Sequence, residues 1–146
     1  RTFSKAYGLA GIRLGYLVAR PEFVDWIERA RLPYNVNALS QAVAAAAVAD
    51  QAFVRATVGG AARERPIWTD ALRERGFTVW PSQANFVLAE APDGADRDAL
   101  VAGLAEAGVL VRNAGAHPRL RRALRVTLGT DEDLSALQAA LEGVLR

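Results

Sequence analysis

The sequence predicts an α/β fold in two parts. Residues 1–60 read as the end of a large sheet domain, and residues 61–146 as a small α+β domain. Three observations carry this. The apolar run Leu14–Ala19 suits a buried strand, yet only helical stretches follow it, so the first part has no sheet of its own. After Gly76 the pattern changes to strand, strand, helix, strand, strand, helix, which is a layer of sheet covered by helices. Hydrophobic residues make up 51% of the 146, enough to build a core.

The elements follow in order. Pro21 suits the first turn of a helix with Phe23, Val24 and Ile27 on one side. Pro33-Tyr34-Asn35 breaks that helix. Ala38–Ala49 forms the next one, and its Ala-rich part from Ala42 reads as buried or close-packed. A third helical stretch covers much of 50–75, interrupted or bent near Gly59-Gly60 and Pro66, and the domain boundary falls within it. Gly76 stops it. Phe77–Trp80 and Asn85–Ala89 are strands on either side of Pro81-Ser82. Asp96–Ala107 is a helix with Leu100, Val101 and Leu104 as its apolar face, ended by Gly108. Val109–Arg112 and Leu124–Leu128 are two further strands. Thr130 and the acids at 131–133 mark a helix N-terminus, after which Leu134, Leu137, Leu141 and Val144 recur at helical steps.

Composition narrows the function classes. A net charge of +2 argues for neither a nucleic-acid nor a membrane partner. There is no cysteine, which excludes disulfides and thiolate metal sites, and the single His117 cannot build a histidine metal cluster. The run from Ala42 to Ala49 is far short of the roughly twenty residues a membrane span needs. The chain begins with Arg1, not Met, inside its most informative motif, which predicts a fragment lacking its N-terminal part.

That motif is Ser4-Lys5-Ala6-Tyr7-Gly8-Leu9-Ala10-Gly11-Ile12-Arg13-Leu14-Gly15-Tyr16. A lysine that condenses with an aldehyde cofactor needs a fixed, partly desolvated position. A phosphate nearby needs a hydroxyl and a forked cation, which Ser4 and Arg13 offer. Glycines at 8, 11 and 15 let the backbone turn and approach a ligand. The plainer account is a glycine-rich loop with Lys5 and Arg13 solvated. The motif resembles the cofactor-lysine segment of the fold-type I, pyridoxal-phosphate-dependent aminotransferases, most closely the histidinol-phosphate aminotransferase branch.

The resemblance implies an aspartate aminotransferase-like fold: the C-terminal part of a large cofactor-binding domain, a long connecting helix, and a small α+β domain. It implies that Lys5 carries pyridoxal 5'-phosphate covalently, with Ser4 and Arg13 on its phosphate. It implies a cytoplasmic homodimer that exchanges an amino group between a small amino donor and a 2-oxo acid. Relatives place the groups on the cofactor ring before the lysine, so the fragment alone is expected to be inactive.

Arg112 and Arg125 form the second constellation. If their strands pair across 113–123, both arginines lie at one end of the sheet. Alternation puts Leu124, Val126 and Leu128 on one face, and Arg125 and Thr127 on the other. Two cations so close repel unless an anion lies between them. Alternatively each pairs with a local acid such as Asp133 or Glu106, or reaches water. Arg119, Arg121 and Arg122 read as loop charge. The flanking segments resemble the paired substrate-binding segments of histidinol-phosphate aminotransferases, which implies that both arginines grip a substrate phosphate and that Arg125 also binds an α-carboxylate.

Pro33-Tyr34-Asn35-Val36-Asn37 resembles a family segment whose tyrosine lies near substrate; Tyr34 also reads as a turn residue packing on a helix. Asn85 matches an asparagine that relatives place near the active site, or it caps a strand end. Tyr7 reads as packing, and Trp26, Trp68 and Trp80 as core or interface packing. His117 reads as solvated. Three other functions stay open: an aromatic or other amino-acid aminotransferase, a threonine-phosphate decarboxylase, and a non-catalytic anion-binding α+β module.

Overall fold

In the computed structural model, which describes residues 1–145, the opening segment doubles back on itself. Thr2 bridges Gly15, Tyr16 N–H donates to the Arg1 carbonyl at 2.9 Å, and Phe3 N–H donates to that of Leu14 at 3.1 Å. This isolated bridge is all the sheet pairing the predicted strand Leu14–Ala19 has among the described residues. The expectation of a strand is thus corrected. A strand is defined by its ladder, and past Tyr16 no backbone partner continues it.

Helix α1 spans Pro21–Ala30, with Pro21 in its first turn and Glu22 complementing the helix dipole. It ends ahead of Pro33 because a residue preceding proline avoids helical geometry. Its apolar side is not buried: Phe23, Trp26 and Ile27 are exposed. Trp26 does not lie in the core: it is exposed, with the Arg29 guanidinium over its ring at 5.6 Å. Helix α2, Ala38–Ala49, is N-capped by the Asn37 side chain, which accepts from Ser40 N–H at 2.8 Å. Its alanines were expected to be close-packed, but only Ala44 and Ser40 are buried.

Helix α3, Gln51–Arg73, runs through Gly59-Gly60 and Pro66, so of the expected interruption or bend the interruption is not found. Local propensity penalises these residues by about 1 kcal/mol per glycine and about 3 for proline. Burying Trp68, Ala71 and Leu72 on the core offsets that cost. The chain divides into two compact units, Arg1–Gly59 and Gly60–Arg146.

The second unit is a four-stranded antiparallel sheet in the order β1 (Thr78–Val79), β2 (Phe86–Glu90), β4 (Ala123–Thr127), β3 (Arg112–Asn113). Helices α4 (Arg97–Glu106) and α5 (Asp131–Val144) complete it. Val87 and Ala89 of β2 and Leu124 and Val126 of β4 are buried on one face. They pack with Trp68, Leu72, Leu100, Leu104, Leu137 and Leu141 into one core. Thr130 and Asp133 form a reciprocal capping box at the start of α5. The predicted strand 109–112 shrinks to Arg112–Asn113, because only these residues pair with β4. Trp68 is buried as expected, and Trp80 is half-buried.

Arg122 corrects another expectation. It is a clamp, not loop charge: it bonds Asp93 at 2.9 Å and the carbonyls of Ala91 and Pro92 at 2.7 Å each. His117, exposed, uses Nδ1 to accept from Arg119 N–H at 3.2 Å and so caps a short turn.

Candidate active site

In the first unit, the pairing of Phe3 with Leu14 has a direct consequence. Ser4 follows one and Arg13 precedes the other, so the hydroxyl and the guanidinium flank the same closed pair. Lys5 occupies the bend between Ser4 and the turn closed by Gly8 N–H on the Lys5 carbonyl at 2.8 Å. Gly8 has φ +67°, a left-handed conformation that favours glycine. Arg13 adopts φ 53° without that freedom, a cost that close functional segments often carry. Gly15 is required for a different reason: a Cβ there would lie 2.6 Å from the Arg1 carbonyl oxygen.

The loop is anchored from below. Phe3 is buried, its ring 4.6 Å from that of Tyr7 and 6.0 Å from that of Tyr16. Tyr7 therefore packs, as expected. Ser40, buried on α2, donates to the Ile12 carbonyl at 3.0 Å. With Phe3 turned inward, Lys5 is left exposed at the bend. The expected partial desolvation of its amine is not met by these residues. Arg13 is also exposed, and its NH1 donates to the Ala10 carbonyl at 2.8 Å.

Thr2, which sequence reasoning passed over, holds Ser4 in place. Its hydroxyl donates to Ser4 Oγ at 2.9 Å and accepts from Ser4 N–H at 3.1 Å. The signal was there: a hydroxyl two residues ahead of another commonly bonds the backbone between them. Tyr34, almost fully exposed and at φ 55°, packs on nothing. It lines a cavity of about 720 Å³ with Leu14, Glu28, Arg31, Leu32 and Asn35, among others.

In the second unit, β3 and β4 pair with Arg112 directly opposite Arg125. Leu88 lies opposite Arg125 from the other side, and Phe86 opposite Thr127. The Arg125 guanidinium sits 4.9 Å from the centre of the Phe86 ring, a cation–π contact that orients it. Its Nε is buried and has no hydrogen-bond partner among the described residues. Neither arginine has an acidic partner among them, so pairing with Asp133 or Glu106 is not seen. Asp133 is instead committed to Thr130. Asn85 is exposed, and its backbone carbonyl, not its side chain, ties β2 to Leu128 N–H at 3.0 Å.

One known family matches nearly the whole of this sequence. Its profile, aminotransferase class I and II, matches residues 1–141. The chain belongs to this family. This aminotransferase chain is 43% identical over 145 residues to a histidinol-phosphate aminotransferase from Anaeromyxobacter sp., covering 99% of the chain and 39% of the relative. It is 45% identical over 145 residues to histidinol-phosphate aminotransferase 2 of Methylococcus capsulatus, covering 99% and 38%. Among solved structures it is similar to histidinol-phosphate aminotransferase from Sinorhizobium meliloti in complex with pyridoxal-5'-phosphate. The TM-score is 0.87 at 33% identity, over 100% of this chain and 40% of that one. The chain spans about two fifths of the length of the curated relatives it matches. No helix among the described residues is long and apolar enough to cross a membrane, and those residues hold no cluster of potential metal ligands.

Proposed function

We propose that the whole protein is a pyridoxal-phosphate-dependent histidinol-phosphate aminotransferase. It exchanges the amino group of L-histidinol phosphate with 2-oxoglutarate, giving imidazole acetol phosphate and glutamate, as a homodimer in the cytoplasm. The observation that carries the reading is the opposition of Arg112 and Arg125 without an acid between them. Two facing guanidinium groups are a receptor for a doubly charged oxyanion, and phosphate matches their forked geometry. The named relatives support the same substrate.

The first loop suits the cofactor by the chemistry of its donors. It offers an accessible amine, a hydroxyl and a guanidinium on a segment closed by backbone hydrogen bonds. Ser4 Oγ accepts from Thr2, which leaves its own hydrogen free for a phosphate oxygen. Arg13 spends NH1 on the Ala10 carbonyl and keeps its other donors for the same phosphate. Lys5 Nζ would be the amine that holds the cofactor, and the same amine would serve as the base and acid that moves the proton at the amine-bearing carbon of the substrate. When bound, the cofactor supplies the electron sink for that carbon. Arg112 and Arg125 hold the substrate phosphate, and Arg125 serves the carboxylate of glutamate in the other half-reaction. Tyr34 and Asn85 contact substrate.

The test uses the full-length protein. Lys5→Ala should abolish the visible absorbance of the lysine–cofactor linkage, and its survival would end the assignment. Turnover measured with histidinol phosphate, phenylalanine and threonine phosphate should favour the first; a preference for either other compound would overturn the substrate.

A further inference from the structure

Strand β3 is only Arg112–Asn113, at the edge of the sheet. Two ladder residues specify register weakly, and a slip of one residue would send Arg112 to the opposite face. Val109 and Val111, packed against the core, and the Ala114 N–H bond to the Ala123 carbonyl at 3.1 Å help to hold it, and a polar contact adds to them. Asn113 lies opposite Leu124, whose side chain is buried in the core, so Asn113 is on the helix-covered side. There its Nδ2 donates to Asp98 Oδ1 on α4 at 2.8 Å. Its Oδ1 accepts from Gly115 N–H at 2.8 Å and fixes the turn that follows.

Asp98 is itself held firmly. Asp96 caps α4 by accepting from the N–H groups of Asp98 and Ala99 at 2.7 and 3.0 Å. Arg97 NH2 donates to Asp98 Oδ2 at 3.0 Å, and its Nε lies 2.9 Å from Oδ1 as an ionic contact. The guanidinium of Arg97 also lies over Gly115, where any Cβ would overlap it. The charge of Asp98 is therefore neutralised by Arg97 and does not cancel that of Arg112. Hydrogen bonding from Arg97 foremost holds the Asp98 carboxyl below its ordinary range, so it is an acceptor at neutral pH.

We propose that Asp98 is a positioning residue for the anion site: by holding Asn113 on the helix side of the sheet it commits Arg112 to the other face, opposite Arg125. Neighbouring residues of a strand point to opposite faces, so fixing one fixes the other. The inference rests on the reading that Arg112 and Arg125 hold the substrate phosphate.

The experiment measures inorganic phosphate binding by calorimetry, and KM and kcat for the phosphate-bearing donor, in the full-length protein. Asp98→Ala should weaken phosphate and raise that KM by about threefold, the scale of a solvent-exposed hydrogen bond, with kcat within about twofold. The exchange variant Asp98→Asn with Asn113→Asp rebuilds the bond with donor and acceptor swapped, and should recover most of the affinity. Should Asp98→Ala fail to fold, Asn113→Ala carries the same expectation. Unchanged phosphate affinity in a folded Asp98→Ala or Asn113→Ala, or no recovery in a folded exchange variant, would overturn the proposal. Arg112→Ala separates the two ideas. If it abolishes phosphate binding while Asp98→Ala does not alter it, positioning alone fails. If it leaves phosphate binding intact, the anion-site reading fails and the proposal falls with it.

Discussion

Replacing Arg112 by glutamine should make the anion-free protein more stable, not less. Arg112 and Arg125 are direct partners in the β3–β4 ladder, which places their Cα atoms roughly 5.5 Å apart. Two unit charges about 6 Å apart repel by about 0.7 kcal/mol at the dielectric of water and by about four times that at an effective value near 20. Arg112 is exposed, so the lower figure applies. Arg125 differs, because its stack on Phe86 is worth about 1 kcal/mol and offsets the relief of repulsion when it is removed. Arg112→Gln should therefore stabilise by about 0.7 kcal/mol without phosphate, while Arg125→Gln should be neutral or destabilising. Phosphate at ten times its dissociation constant should stabilise the parent by about 1.4 kcal/mol and Arg112→Gln hardly at all. Thermal unfolding with and without inorganic phosphate measures both effects. If Arg112→Gln destabilises the anion-free protein, or keeps the full phosphate response, the two cations do not form an unpaired receptor.

Three further outcomes follow from the geometry. Thr130→Ala removes one half of the capping box at α5 and should cost about 1 kcal/mol in denaturant unfolding. Gly15→Ala places a Cβ 2.6 Å from the Arg1 carbonyl oxygen and should open the Lys5 loop; binding of pyridoxal phosphate, followed by absorbance, should weaken by at least tenfold. Asp98 has its carboxyl lowered chiefly by the hydrogen bond from Arg97. A group lowered on folding stabilises above its unfolded value and loses that contribution as pH falls through the folded one. The stability difference between the parent and Asp98→Asn should accordingly be present from neutral pH down to about 4 and shrink below it. A difference that grows with acid would contradict the pair.

Much of the second unit was legible because its signals are local. Thr130 with Asp133, the alternation around Leu124 and Val126, and Gly76 and Gly108 at φ +82° each act through neighbours a few residues away. The errors occur where a distant partner decides. Leu14–Ala19 has a strand's composition but lacks a ladder, and Arg122 looks like loop charge until the turn carrying Asp93 reaches it. Pro66 and the glycine pair should interrupt α3, yet the packing of Trp68 and Leu72 outweighs their propensity. Lys5 was recognisable from its motif as a candidate for the cofactor amine. Its exposure was not, because burial depends on what the fold lays over a side chain.

The amino-acid order determined which groups were available: an amine, a hydroxyl and a guanidinium within one short loop, and two arginines on separate strands. It also determined the helix caps and the alternation of faces, since those follow from chain geometry over a few residues. Only tertiary structure decided that Arg112 is paired with Arg125, that the Arg125 guanidinium lies over Phe86 and that Asp98 bonds Asn113 of the edge strand β3. Those relations join positions far apart in the chain, and it is the closing of the sheet and the docking of α4 that bring them into register.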